Sequence, residues 1–177
     1  TFAGGSELAH LSLLSGLDLS DTRRHDVLLT TARPTLVSFM RSQGYHTVGL
    51  YPSLSWDWDE KRFYAFDRFL DARDLDYRGP KLGYWSIPDQ VALARAEQLA
   101  PALAGAAPRF MFFPSITSHM PFHPVPPLQP DAKRLLEDQP LDAAEVQRAL
   151  DEPVDWVNML PNYLRMIDYN HRWLAAH

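Results

Sequence analysis

The sequence has no cysteine. Disulfides and thiolate metal ligands are thereby excluded, and any metal site has to be built from oxygen and imidazole donors. Long apolar runs are missing too. Nowhere does a hydrophobic stretch approach the roughly 18 residues that cross a bilayer. Positive charge is short: 17 Lys and Arg stand against 22 Asp and Glu, a net charge of −5. That balance argues against a nucleic-acid-binding surface. Hydrophobic residues make up 46% of the 177 positions, which excludes disorder and is enough for one domain with a real core.

Glycine is sparse, and two of the 8 are adjacent at Gly4-Gly5, directly before Ser6. Leu8, Leu11 and Leu14 then recur at helical spacing, and Gly16 is placed to stop the helix. Ser6 is expected at a helix N-terminus, where N–H groups and the positive dipole end favour an anion. A serine there fits two readings. It is an ordinary N-cap, or it is a nucleophile set to attack a phosphate or sulfate ester.

Further on, Pro34 is expected to open a helix that buries Leu36, Val37, Phe39 and Met40 and ends at Gly44. Tyr45 to Tyr51 reads as a strand. Helix followed directly by strand is an α/β signature. Before it, Leu17 to Arg33 reads as a polar connector whose Arg23-Arg24-His25 cluster is solvated. Ser55-Trp56-Asp57-Trp58-Asp59-Glu60 reads as an aromatic-acidic loop whose tryptophans cover the core edge. It lacks the spacing of a calcium loop. Lys61 to Ala65 is a short helix, and Asp71 to Tyr84 a charged surface loop. Ser86-x-x-Asp89 resembles a capping box for a helix reaching about Leu103, with Ala92, Ala96, Leu99 and Leu103 on one face. Arg109 to Ile116 contains the most apolar strand, of the kind covered on both faces.

His119 follows the carboxyl end of that strand, the edge where ligands sit in open α/β sheets. An imidazole there would stabilise charge on an ester oxygen. Pro121 to Pro130 holds five prolines and reads as an extended loop, a lid or a crossing segment. Asp142-x-x-Glu145 caps a helix to about Leu150. A last helix, from Val154 or Pro161 onward, places Leu160, Leu164, Ile167, His171 and Leu174 on one stripe. Asp168 and His171 share it at a three-residue spacing, read as a partly buried structural pair in preference to a metal site.

Three of these stretches also carry a family resemblance. Ser6 through Gly16, with its Leu13-Leu14-Ser15-Gly16 run, resembles the nucleophile segment of sulfatases and phosphoglycerol transferases in the alkaline phosphatase superfamily. Gly4-Gly5 is similar to the lipoteichoic-acid-synthase-like branch. Phe66-Asp67-Arg68-Phe69-Leu70-Asp71 resembles the family's Gly-Phe-Asp-x-Phe-x-Asp stretch. Thr117-Ser118-His119-Met120-Pro121-Phe122 looks like its Thr-x-x-His-x-Pro-Tyr/Phe segment. Glu7-Leu8-Ala9-His10 stands where formylglycine sulfatases have their signature.

The resemblance implies a mostly parallel sheet with helices on both faces, incomplete, with residues 1–177 a single segment of a catalytic domain lacking the family's N-terminal and C-terminal metal-ligand motifs. It implies a metal-dependent hydrolase or transferase acting on phosphate or sulfate esters, with Ser6 as nucleophile. Ser6 would also be a metal ligand, the other ligands lying outside this chain. His119 would contact the substrate's anionic group, and Trp56 stands near a head-group-binding tryptophan, with Trp58 in place of the family's arginine. The implied cofactor is a divalent Mn, Zn, Ca or Mg ion. The implied substrate is a small-molecule, lipid or glycan phosphate or sulfate ester, handled by a membrane-anchored protein on the periplasmic or extracellular face of the bacterial inner membrane. The alternative is a non-catalytic module of the same fold.

Overall fold

In the computed structural model of the chain, the described residues are 6–58, 60–83, 86–100 and 107–177, with Ser6 described in its backbone alone. The elements run α1 (Ser6–Ser15), α2 (Thr22–Leu29), α3 (Leu36–Ser42), β1 (His46–Tyr51), α4 (Lys61–Tyr64), β2 (Arg68–Asp71), α5 (Asp89–Leu99), β3 (Arg109–Phe112), a 3₁₀ turn at Arg134–Leu136, α6 (Ala143–Asp151) and α7 (Leu160–Ala176). The sheet has the order β2-β1-β3. β1 and β3 are parallel, with His46 opposite Arg109 and Gly49 opposite Phe112. The α/β class expected from the sequence is what the chain adopts. No helix among the described residues is long and apolar enough to cross a membrane.

The chain forms two compact units. The first comprises residues 1–49, 56–69 and 102–114. In it α1 packs against α2 and α3, with Leu11 and Leu14 buried as the spacing predicts. Gly16 ends α1 at φ +66, its N–H donating to the Ser12 carbonyl at 2.9 Å. α2 corrects the sequence reading of a polar connector. Asp21 caps it by accepting the Arg24 N–H at 2.9 Å, and His25 and Leu28 are buried on one side. A strong cap and two buried side chains suffice to fold a segment that is polar elsewhere. His25 is therefore not part of a solvated basic loop.

Pro34 lies ahead of α3 and not within it. Thr35 is the N-cap, in a reciprocal capping box with Ser38. Only Val37 of the expected apolar face is fully buried, while Phe39 is exposed. β1 buries Thr47 to Leu50. β3 departs from expectation. It spans four residues, and all four are only half-buried. It is the terminal strand in the β2-β1-β3 order, and this replaces the expected strand covered on both faces.

One polar cluster ties this unit together. The Asp67 carboxylate accepts the Thr47 N–H and hydroxyl, each at 2.8 Å, and the Arg41 guanidinium at 2.9 Å, with His46 Nδ1 at 3.7 Å. Burial acts to raise its pKa, but these partners outweigh it and hold the carboxyl below its ordinary value. Beside it Gly49 lets two rings approach. A Cβ there would stand 2.9 Å from the Phe69 ring and 3.0 Å from Phe66, closer than packing tolerates.

The second unit comprises residues 50–55, 70–101 and 115–177. α5 packs against α7 and the 3₁₀ turn. Arg95, buried on α5, donates to the carbonyls of Leu75, Asp76 and Glu137 at 2.7–2.9 Å. Those bonds draw Leu75 into the core, and Leu82 is buried as well, so the 71–84 segment is not wholly a surface loop. Asp71 takes the Arg73 N–H at 2.8 Å and its guanidinium at 2.6 Å. Gln90 and Gln129 exchange bonds at 2.7 and 3.1 Å, anchoring the proline-rich segment.

Asp142 caps α6 through the Glu145 N–H at 2.9 Å, as expected. On α7 the buried residues are Met166, Tyr169, Asn170 and Trp173. Leu160, Leu164 and Leu174 of the expected stripe are exposed.

Asp67→Asn is expected to lower the unfolding free energy by about 2 kcal/mol at pH 7, the scale of hydrogen bonds to a charged group. Because the folded pKa is depressed, the deficit against wild type should narrow as the pH falls below about 3.8. Urea unfolding at pH 7 and pH 3 measures both.

Candidate functional site

Ser6 is the first described residue of α1. Gly4 and Gly5, and the Ser6 side chain, lie outside the described residues. The dipole of a ten-residue helix favours negative charge at this end. His10 follows one turn later on the same helix. Its ring meets Phe112 of β3 edge-on, with centroids 6.0 Å apart. Burial lowers the His10 pKa and Glu7 opposes the shift, so a neutral imidazole is favoured there. The sequence reading gave His10 no role. Its signal was the four-residue spacing from Ser6.

Trp56 is exposed, and Trp58 is buried between Tyr64, stacked at 6.0 Å, and Phe69 at 5.5 Å. Only Trp58 covers the core edge. Trp56 is left to face solvent, which corrects the expectation that both tryptophans serve packing. Asp57 lies 3.8 Å from Lys61, an exposed pair. Asp59 lies outside the described residues, as does Leu103.

His119 belongs to the second unit, so Ser6 and His119 are each described within their own. It sits on an exposed turn after β3. Its N–H donates to the Ile116 carbonyl at 2.9 Å, and its own carbonyl accepts the Phe122 N–H at 2.9 Å. The Phe122 ring meets Tyr163 of α7 at 5.1 Å. His119 Nδ1 is 2.7 Å from the Met120 carbonyl. A carbonyl only accepts, so Nδ1 carries the hydrogen.

Behind this turn stands Asp89, which corrects the expected capping box. Pro88 occupies the N-cap and makes no side-chain cap bond, and Ser86 is at φ +65. Asp89 is 0% exposed. Its carboxylate accepts the Ile116 N–H at 3.0 Å and the Thr117 N–H at 2.8 Å, and its own N–H donates to Thr117 Oγ1 at 3.0 Å. Burial pushes its pKa up to about 6, against the pull of these bonds. The neighbouring Tyr169 hydroxyl is raised well above its ordinary value, by burial first and by the Asp89 charge second. The sequence signal for this arrangement was absent, since the partners are 27 and 28 residues away.

Asp168 and His171 are both exposed, not partly buried. Asp168 lies 3.9 Å from Arg172. Among the described residues no group of three or more His, Asp or Glu side chains is placed to hold a metal ion. The divalent cation implied by the resemblance therefore finds no cage in them.

A family model described as Sulfatase matches residues 5–176. No curated protein matches the chain, and no solved structure does.

Asp89 gives a pH test. Its folded pKa lies above the unfolded one, so its contribution to stability is complete below about 3.8 and is lost as pH rises through about 6. The stability of wild type relative to Asp89→Asn should fall by about 2 kcal/mol between pH 4 and pH 7. Equilibrium unfolding of both proteins at the two pH values checks it.

Proposed function

From the match over residues 5–176, which shows that the chain belongs to the sulfatase family, we propose that it acts as an ester hydrolase with Ser6 as nucleophile and sulfate monoesters as its first substrate class. Sulfatase-type hydrolysis is the activity the family supports. The place of Ser6 in the first described turn of α1, one residue inside the matched region, is the observation that favours this serine.

In this reading the Ser6 oxygen attacks sulfur in line. A bond forms between Ser6 Oγ and sulfur, and the bond from sulfur to the ester oxygen breaks. The departing oxygen takes up a proton, and the serine hydroxyl loses one. Water then attacks the seryl sulfate and releases inorganic sulfate. The N–H groups at the α1 start would face the developing negative charge. By the resemblance, His119 would contact a non-bridging oxygen. His10, biased neutral by burial, is one turn from Ser6 and suits acceptance of the hydroxyl proton. Exposed Trp56 would offer an aromatic face to the substrate's organic portion.

The same arrangement admits a phosphate ester and, with an alcohol in place of water, transfer to an acceptor such as a lipid or glycan. Dependence on a divalent Mn, Zn, Ca or Mg ion and a membrane-anchored protein at the outer face of a bacterial inner membrane also belong to this proposal. They rest on the resemblance of the three motifs.

Ser6→Ala in the full-length protein should reduce turnover of an aryl sulfate at least about 10³-fold while leaving circular dichroism and melting unchanged. His119→Ala should cost roughly 10²-fold, the scale of losing one oxyanion contact. Wild-type rates in Ser6→Ala would end the nucleophile assignment. Parallel assays on aryl phosphate rank the two ester classes.

A further inference from the structure

We propose that Asp89 and Thr117 are positioning residues that fix the His119 ring through the backbone of residues 116–119. The inference rests on the role proposed for His119 above.

An acidic residue in the first turn of a helix ordinarily faces solvent or satisfies its own helix's N–H groups. Asp89 does neither. It is fully buried, and its carboxylate accepts from Ile116 and Thr117, beyond β3 in the chain. Thr117 is 0% exposed as well and returns the bond, taking the Asp89 N–H on its hydroxyl. One helix N–H without an intrahelical partner and two loop N–H groups are thus satisfied reciprocally.

The restraint passes along the chain by alternating donors and acceptors. Asp89 holds the Ile116 N–H, and the Ile116 carbonyl holds the His119 N–H at 2.9 Å. The His119 ring is then set by its Nδ1 contact to the Met120 carbonyl at 2.7 Å. Each link restrains the next residue, and the last is the imidazole.

Burying a carboxylate is unfavourable, and an apolar residue at such a position is often at least as stabilising. A buried carboxylate spent on two specific N–H groups is therefore better explained by the geometry it imposes than by the stability it adds. Supporting groups of this kind locate a reacting side chain to within a fraction of an ångström. Displacement of a reacting group by about 1 Å is enough to slow chemistry by orders of magnitude. Tyr169, on α7, is the titratable group that senses the Asp89 charge, and Tyr77 is the one beyond it.

The experiment uses the full-length protein and four variants: Asp89→Asn, Thr117→Val, Thr117→Ser and His119→Asn. Thr117→Val keeps the shape and removes the hydroxyl acceptor, and Thr117→Ser restores it. Readouts are kcat and KM on an aryl sulfate, the His119 ring titration by NMR, and amide exchange at Ile116 and Thr117. Thr117→Val is expected to lower kcat roughly tenfold or more with KM little changed, to move the His119 titration midpoint, and to speed exchange at both amides. Thr117→Ser should match wild type. If Asp89→Asn does not fold, the Thr117 pair decides alone. A Thr117→Val protein that melts cooperatively and keeps wild-type kcat and His119 titration overturns the proposal. If His119→Asn retains full turnover, the role proposed for His119 falls. The clamp is then upheld or overturned by the titration and exchange measurements, which need no substrate.

Discussion

A carboxylate taken wholly out of water must recover its lost hydration from fixed dipoles. Asp89 recovers it from two loop N–H groups, and much of the second unit is arranged so that those groups are in reach. α5 starts where Pro88 delivers it, with Asp89 as the first helical residue. Gln90, the next residue, holds Gln129, and Arg95, two turns on, holds three carbonyls from two separate loops. α5 therefore uses polar side chains to organise irregular segments around it. Of its apolar residues, Val91, Ala92 and Ala96 are fully buried.

The first unit follows the same logic with a different acid. Asp67 precedes β2 and reaches β1 through Thr47 and α3 through Arg41. The stretch Phe66 to Asp71, which resembles a family motif, is thus explained residue by residue. Asp67 satisfies a strand N–H, Phe66 and Phe69 close over Gly49, and Asp71 gathers the turn that follows through Arg73. A motif found by resemblance is here a set of packing and hydrogen-bonding requirements.

What the sequence made legible was local. The Gly16 stop of α1, the β1 strand, the short α4 helix and the Asp142 cap all depend on side chains within a few residues of one another, and all stand as read. Errors arose where distant partners decide. α2 is polar on most of its surface, and only Asp21, His25 and Leu28 betray it. On α7, leucines at helical spacing suggested one stripe, but the buried face carries Met166, Tyr169 and Trp173. The large rings remove more area from water than the leucines do. The Trp173 indole N–H also finds Asn170 at 3.1 Å, which lets the indole be buried without an orphaned donor. Of the candidate site, Ser6 and His119 were readable as residues placed at a helix start and after a strand. The Asp89 support was not, because no spacing rule connects positions 27 and 28 residues apart.

The contact between His119 Nδ1 and the Met120 carbonyl has a consequence for how the ring is oriented. With Nδ1 committed as a donor, turning the imidazole over by half a revolution would put the Cδ2–H group where the N–H stood and forfeit the hydrogen bond. The N–H edge of the ring thereby stays on the carbonyl of the next residue, and the Nε2 edge keeps one direction.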